Sequence, residues 1–500
     1  MTFAFALPRP TGNQHFALSR TELREWLGAL PADNATEAAA CLVQQLSAMN
    51  RTSLPARARI EFADLFRDRI DALLPVLEAD LALATLPLSG RRREAAAATE
   101  QLLVELGYAY KSGLVALSDR FFGIGIRGRL HAALLPAMRA LARRLASAYR
   151  IYAANPKTVW QELHLLFQLA ARHGLAEAPL PGSVDTPSSV YRQALLLAFA
   201  VPHKLMQGDV DRILAYLARF ADRTRLASPS PDAVGPGAFL IRPNRDAPGF
   251  AIARFHHAAS RPDDLVLNCR PLVELLLDQI DKLEAGVPAG GIGMPPEADA
   301  PIYRDLLQRL ARHWGNVATR QFGRLRTHAR VELQVGLRAI WRSLRQEGQP
   351  EAAGAESSAW MVTNESPGGY ALMHVSGRCE PMRVGEVVAV DTGEASHICV
   401  VRWVLSDNPE HLELGVQEFA PSATPIGLEG ENASDSGPAL LLPEIPALRQ
   451  PSAILAPYGQ VDASRDLLIA GTNARLRVRA TRIVEQTLSV QMFQFCPAAG

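Results

Sequence analysis

The hydrophobic period of the chain changes along its length, and that change limits the fold more than any other feature. From Ser19 to about Leu226 the apolar residues recur at three and four, the spacing of helices that bury one face. From Arg330 onward they alternate instead, in RVELQVGL, GEVVAV, HICVVRWVL and LELGVQEF, and alternation places every second side chain on one face of a strand. The chain is therefore expected to be α+β and multidomain, an all-α bundle or solenoid over residues 1–319 followed by a β part.

Within the helical part, Ser19 with Glu22 has the pattern of a capping box, and Asn34 with Glu37 marks a second helix start. Longer helices are predicted over Ala56–Ala84, Gly90–Leu117, Leu130–Ala153, Thr158–His173, Ser188–Leu205 and Asp209–Asp222, with Pro75 kinking or splitting the first of these. Gly123, Gly125 and Gly128 satisfy GxGxxG, but a helix precedes them and the next acid is Glu162. A dinucleotide site needs a strand before the glycines and an acid about 20 residues later, so a turn between helices is the better reading. The cations Arg120, Arg127, Arg129, Arg139, Arg143, Arg144, Arg150 and Lys157 follow one another with no acid between them. Such a stripe is either a surface for an acidic partner or, more commonly, a helix face balanced by acids elsewhere. AFLIRP and GFAIARF flank NRDAP, which predicts a β-hairpin attached to the helical part.

Composition excludes several function classes. A net charge of +1 draws the chain neither to nucleic acid nor to a membrane surface, and no run approaches the roughly 18 apolar residues of a bilayer span. The apolar start MTFAFAL has no basic residues before it, so a secretory signal is not expected and the chain is placed in the cytoplasm. Five cysteines without CxxC spacing suit reduced thiols and neither a disulfide framework nor a zinc site. GxSxG, HExxH and P-loop strings are absent, and the chain is expected to be no enzyme and to carry no cofactor.

Two clusters suit one small anionic ligand. In GRLRTHARVEL, Arg326 and Arg330 stand four apart at the start of the alternating run, with Arg324 just before them and Arg320–Arg324 as a second possible register. Arg offers a fixed charge and a planar fork of donors that fits phosphate oxygens and stacks on a purine. In WMVTNESPGGY, Asn364, Ser366 and Gly369 supply short-range hydrogen bonds and a close backbone approach.

This order of motifs resembles the PilZ domain, a small β-barrel that binds cyclic di-GMP, whose pattern is RxxxR before the first strand and D/NxSxxG on the next strand and turn. The likeness covers residues 320–419, and it implies a barrel at 320–425. The interval between the motifs is long, and the hydrophilic RQEGQPEAAGAESS is read as a loop between the first two strands. The resemblance implies that Arg326 and Arg330 hold phosphates and stack on guanine, that Arg324 is an additional clamp, and that Asn364, Ser366 and Gly369 face the guanine edges. It further implies a receptor for cyclic di-GMP that signals to a protein partner through the helical domain, with outputs such as motility, pili, adhesion or exopolysaccharide. A PilZ-like scaffold that no longer binds nucleotide is the alternative. Strand candidates in residues 426–500 either extend the barrel or form a small β-domain.

Overall fold

The computed structural model describes the chain apart from residues 1–4, 10–15, 32, 119–125, 231–234, 253–260, 316–322, 324, 347–357, 409–410, 430–436, 447–448, 461–465, 471–474 and 499–500. It divides into two compact units. One comprises Met1–Ala84, Ser89–Pro202 and Gly208–Thr319; the other comprises Thr85–Leu88, His203–Gln207 and Arg320–Gly500. Among the described residues no helix is long and apolar enough to cross a membrane.

The first unit begins with α1 (Arg20–Gly28), α2 (Ala35–Arg51), α3 (Ala56–Ala82), α4 (Gly90–Ser118), α5 (Ile126–Arg150), α6 (Val159–Arg172), α7 (Pro187–Phe199) and α8 (Asp209–Phe220). Both expected helix starts form. Ser19 and Glu22 satisfy each other's backbone N–H groups in a capping box, and Asn34 accepts from the Glu37 N–H. Pro75 does not split α3, because Leu73, Leu74 and Leu77 around it are all buried and hold the helix through the missing hydrogen bond. The helix expected to reach Leu205 stops at Phe199. Pro202 disfavours helical backbone in the residue before it, and Val201 adopts a φ of 59°. The expected glycine-rich turn lies mostly outside the described residues, and Gly128 falls inside α5.

Helix α4 packs against α2, α3 and α5. Leu42 and Leu46 of α2, Phe66 and Ile70 of α3, Leu102 and Leu114 of α4 and Leu134 of α5 are shut off from solvent. Each such side chain stabilises the fold by about 1.5–3 kcal/mol through burial alone. Four arginines of α5 form ion pairs within this unit. Arg139 pairs with Asp185, Arg143 with Asp71 and Glu78, Arg144 with Glu100, and Arg150 with Glu78 and Asp211. The balanced-face reading of the stripe therefore holds for these four.

The predicted hairpin is present and larger than expected. Strands β1 (Arg225–Ala227), β2 (Ala238–Ile241), β3 (Phe250–Ala251) and β4 (Leu265–Asn268) form an antiparallel sheet in the order β1-β4-β2-β3. Its β2–β3 loop completes a helix. The Asp246 carboxylate accepts from the Thr158, Trp160 and Gln161 N–H groups at the start of α6, where Thr158 itself provides no side-chain cap. Helices α9 (Arg270–Glu284) and α10 (Pro301–Gly315) complete the unit.

The second unit holds two closed barrels. Strands β5 (Arg330–Val335), β6 (Ser358–Ser366), β7 (Gly369–Ser376), β8 (Val387–Asp391), β9 (Ser396–Asn408) and β10 (His411–Ala420) close in the order β10-β7-β6-β5-β8-β9. Strands β11 (Thr424–Glu429), β12 (Gly437–Leu442), β13 (Ala453–Pro457), β14 (Asp466–Ala470), β15 (Arg475–Gln486) and β16 (Val490–Pro497) close in the order β11-β12-β13-β16-β15-β14. The C-terminal strands do not extend the first barrel. They pair among themselves, and closure leaves neither barrel with a free strand edge.

Between β5 and β6 lies a helix that the sequence reading did not anticipate, α11 (Leu337–Gln346), whose last two residues begin the segment expected to be a loop. Leu337 and Ile340 are buried, and Trp341 and Leu344 pack beside them, in a core shared by both barrels through Val387, Val400, Leu440, Leu455 and Met492. The Trp341 indole N–H donates to the Ile426 carbonyl at 2.7 Å. Residues 347–357 of the expected loop lie outside the described residues.

Candidate ligand-binding face of the first barrel

Arg330 opens β5 and stands opposite Met361 of β6. The chain before it continues along the same strand. The Val362 N–H donates to the Ala329 carbonyl at 2.9 Å, and Leu325 and Glu365 exchange both backbone hydrogen bonds, at 3.0 and 2.9 Å. The RxxxR segment is thus held antiparallel to the strand that carries NxSxxG. This register sets Arg326 one step from the Leu325–Glu365 pair, beside Asn364. Arg326 and Arg330 are exposed, and Asn364 and Ser366 are half-buried. Arg324 and the alternative Arg320 lie outside the described residues.

Directly opposite residues of antiparallel strands share a face. Val362, Leu372, Leu414 and Val404 lie across β6, β7, β10 and β9 and are buried in the barrel. Their neighbours form the outer wall. One outer row runs through Arg330, Met361, Met373 and Glu413, and the next through Asn364, Ala371, Gly415 and Trp403. Asn364 reaches this wall because of a bulge. Val362 pairs with Leu372 and Asn364 with Ala371, so Thr363 is an extra residue. Without it Asn364 would point inward. The Thr363 hydroxyl donates to the Ala371 carbonyl at 3.2 Å and fixes the bulge. Glu413 bounds the face, its carboxylate 2.9 Å from His411.

Ser366 and Gly369 close the β6–β7 hairpin, where the Ser366 hydroxyl meets the Gly369 carbonyl at 3.4 Å. Gly369 is buried at a φ of 139°, and a Cβ there would overlap the Val416 carbonyl oxygen of β10. Only glycine permits both that conformation and that approach. Beside it, Tyr370 lies edge-on to His397, whose Nδ1 is 3.1 Å from Glu418. Burial, with Glu418 adding to it, pushes the Tyr370 hydroxyl up to about 12, so it remains protonated. The wall therefore offers two exposed guanidinium groups, one amide, and the partly covered side chains of Met361 and Met373. That combination suits a ligand with anionic and flat apolar parts.

Three domain models match the chain in order. "Cyclic-di-GMP receptor FimW, N-terminal domain" covers residues 21–232, "Cyclic-di-GMP receptor FimW, middle PilZ domain" covers 238–349 and 341–425, and "FimW C-terminal beta-barrel domain" covers 422–497. The chain belongs to this three-domain PilZ family. A relative in Pseudomonas aeruginosa named cyclic-di-GMP receptor FimW is 26% identical across 87% of this chain and 83% of its own length. In this family's terms the first barrel lies within the PilZ domain and the second is the C-terminal barrel. The middle match begins at residue 238, within the first compact unit.

The sequence reading named the two motifs and missed the rest of the wall. Trp403 was within reach, since alternation in HICVVRWVL sets it opposite in phase to the buried Val404. Gly415 was not, because its role depends on which strand lies beside it.

Proposed function

We propose that this chain is a non-catalytic cytoplasmic receptor for cyclic di-GMP, with its helical domain passing the signal to a protein partner. Arg326 and Arg330 hold phosphate oxygens and lie against guanine, and Asn364 reads a base edge from the outer wall. Ser366 adds a hydroxyl at the hairpin, and Gly369 acts by setting the backbone there. Arg324 is the additional clamp that the sequence resemblance implies. The observation that carries this reading is the backbone pairing of Leu325 with Glu365, which lays one motif along the other. The relative's name supports the ligand's identity.

Calorimetric titration of the purified chain with cyclic di-GMP, beside GTP and cyclic di-AMP, tests the reading. Selective binding that is lost in Arg330→Ala and weakened in Asn364→Ala is the expected result. Equal responses to all three nucleotides, or none to cyclic di-GMP, would leave the chain as a scaffold.

A further inference from the structure

Thr363 is the extra residue that brings Asn364 to the outer wall, and the same threonine also touches the Asn364 side chain. Its hydroxyl donates to the Ala371 carbonyl at 3.2 Å, and the Asn364 Nδ2 lies 3.5 Å from that hydroxyl oxygen, at the long end of hydrogen bonding. Both side chains are half-buried. Among the described residues Thr363 is the one side-chain partner of the Asn364 amide.

The chemistry of a hydroxyl turns this contact into a directional one. A threonine oxygen has one proton and two lone pairs, and a carbonyl can only accept. The proton is therefore committed to Ala371, and towards Asn364 the same oxygen acts only as an acceptor. The two ends of a carboxamide are alike in shape, so hydrogen bonds alone decide which way it faces. Here the NH2 end turns to Thr363, and Oδ1 is left on the other side. Guanine carries N1–H and N2–H2 donors side by side on its Watson–Crick edge, which an acceptor held in place satisfies. An amide free to flip also pairs with adenine, using its oxygen on N6–H2 and its nitrogen on N7.

We infer that Thr363 is a positioning residue that sets the preference for guanine, its hydroxyl holding the Asn364 amide with the acceptor oxygen turned to the ligand. This rests on the reading given under the proposed function. The competing explanation is that Thr363 serves the strand alone, since a β-branched side chain suits a pleated, half-buried surface. Valine keeps that shape and loses the hydroxyl, whereas serine keeps the hydroxyl and loses the branch.

The experiment compares the full-length chain with Thr363→Val and Thr363→Ser by titration with cyclic di-GMP and by competition with cyclic di-AMP. Amide hydrogen exchange of β6 and β7 reports whether the barrel is intact in each. The Val variant is expected to lose about fivefold to fiftyfold in affinity for cyclic di-GMP, with its preference over cyclic di-AMP narrowed, while the Ser variant keeps both. A loss that is absent, that the Ser variant shares, or that falls equally on the two nucleotides overturns the inference. Should the Val variant lose its barrel, the decision passes to the unsubstituted chain labelled with 15N-asparagine, its Asn364 side-chain signal assigned through Asn364→Asp. Without ligand that amide must give a relaxation order parameter above about 0.6, and a lower value, that of a flexible group, overturns the inference. If the parent chain itself shows no binding, the receptor reading fails, and that outcome is recognisable before any variant is made.

Discussion

Gly369→Ala separates what the motif does for the barrel from what it does for a ligand. The alanine would have to adopt a φ of 139°, a conformation that costs about 1–3 kcal/mol outside glycine. Its Cβ would also displace the Val416 carbonyl, which lies in the ladder between β7 and β10, and a lost backbone hydrogen bond costs about 0.5–1.5 kcal/mol more. A total of about 3 kcal/mol corresponds to an increase of about a hundredfold in the local opening of that seam. Hydrogen exchange read on peptides from β7 and β10 without ligand should show that acceleration, with the second barrel much less affected. If exchange at the seam is unchanged while ligand affinity collapses, the argument from closure is wrong and the glycine serves ligand approach directly.

Two further outcomes concern the helical unit. The Lys111 ammonium is 2.7 Å from Glu162 with both side chains buried, and Glu162 also accepts from the Ala6 N–H. Lys111→Met should therefore cost about 3–5 kcal/mol by leaving that carboxylate unpaired, and adding Glu162→Leu should recover much of it, as read by thermal unfolding; an unaltered melt would refute this. His164 is buried, its Nε2–H donating to the Ala247 carbonyl and its Nδ1 accepting from the Tyr191 hydroxyl, and burial lowers its pKa to about 4. Between pH 6.5 and about 4 the unfolded chain gains a proton that the folded one does not. Acidification through that window should thus lower stability by up to about 3 kcal/mol. Chemical unfolding at both ends of the window should show a smaller difference in His164→Gln, and an equal difference would assign the effect to other groups.

The fold was legible where local chemistry sets it. Ser19 and Asn34 announced their helices, and alternation announced the strands. What escaped depended on neighbours distant in sequence. α11 had a readable spacing in Leu337, Ile340, Trp341 and Leu344, but between an alternating run and a polar one it drew no helix expectation, and what it packs on comes from residues 387–492. Asp246 looked like a turn residue because the helix end it caps begins at Thr158. At the candidate site, Arg326, Arg330, Asn364, Ser366 and Gly369 were named through the resemblance of their motifs to the PilZ pattern. The Thr363 bulge that turns Asn364 outward could not be named in that way, since it exists only in the register with β7.

The two short pieces Thr85–Leu88 and His203–Gln207 group with the barrels although they fall between helices in the chain. Leu86 exchanges backbone hydrogen bonds with Met382 at 2.9 and 2.8 Å, and Arg383 reaches the Gln207 side chain at 2.8 Å. The boundary between the units is therefore crossed at 84/85, 88/89, 202/203, 207/208 and 319/320. A recombination event with one crossover near residue 320 would deliver barrels that lack both pieces, with the Met382 backbone stripped of its partner. Helices and barrels would then have to be inherited together, and exchange of the sensor part for another would require rewriting the helical half as well.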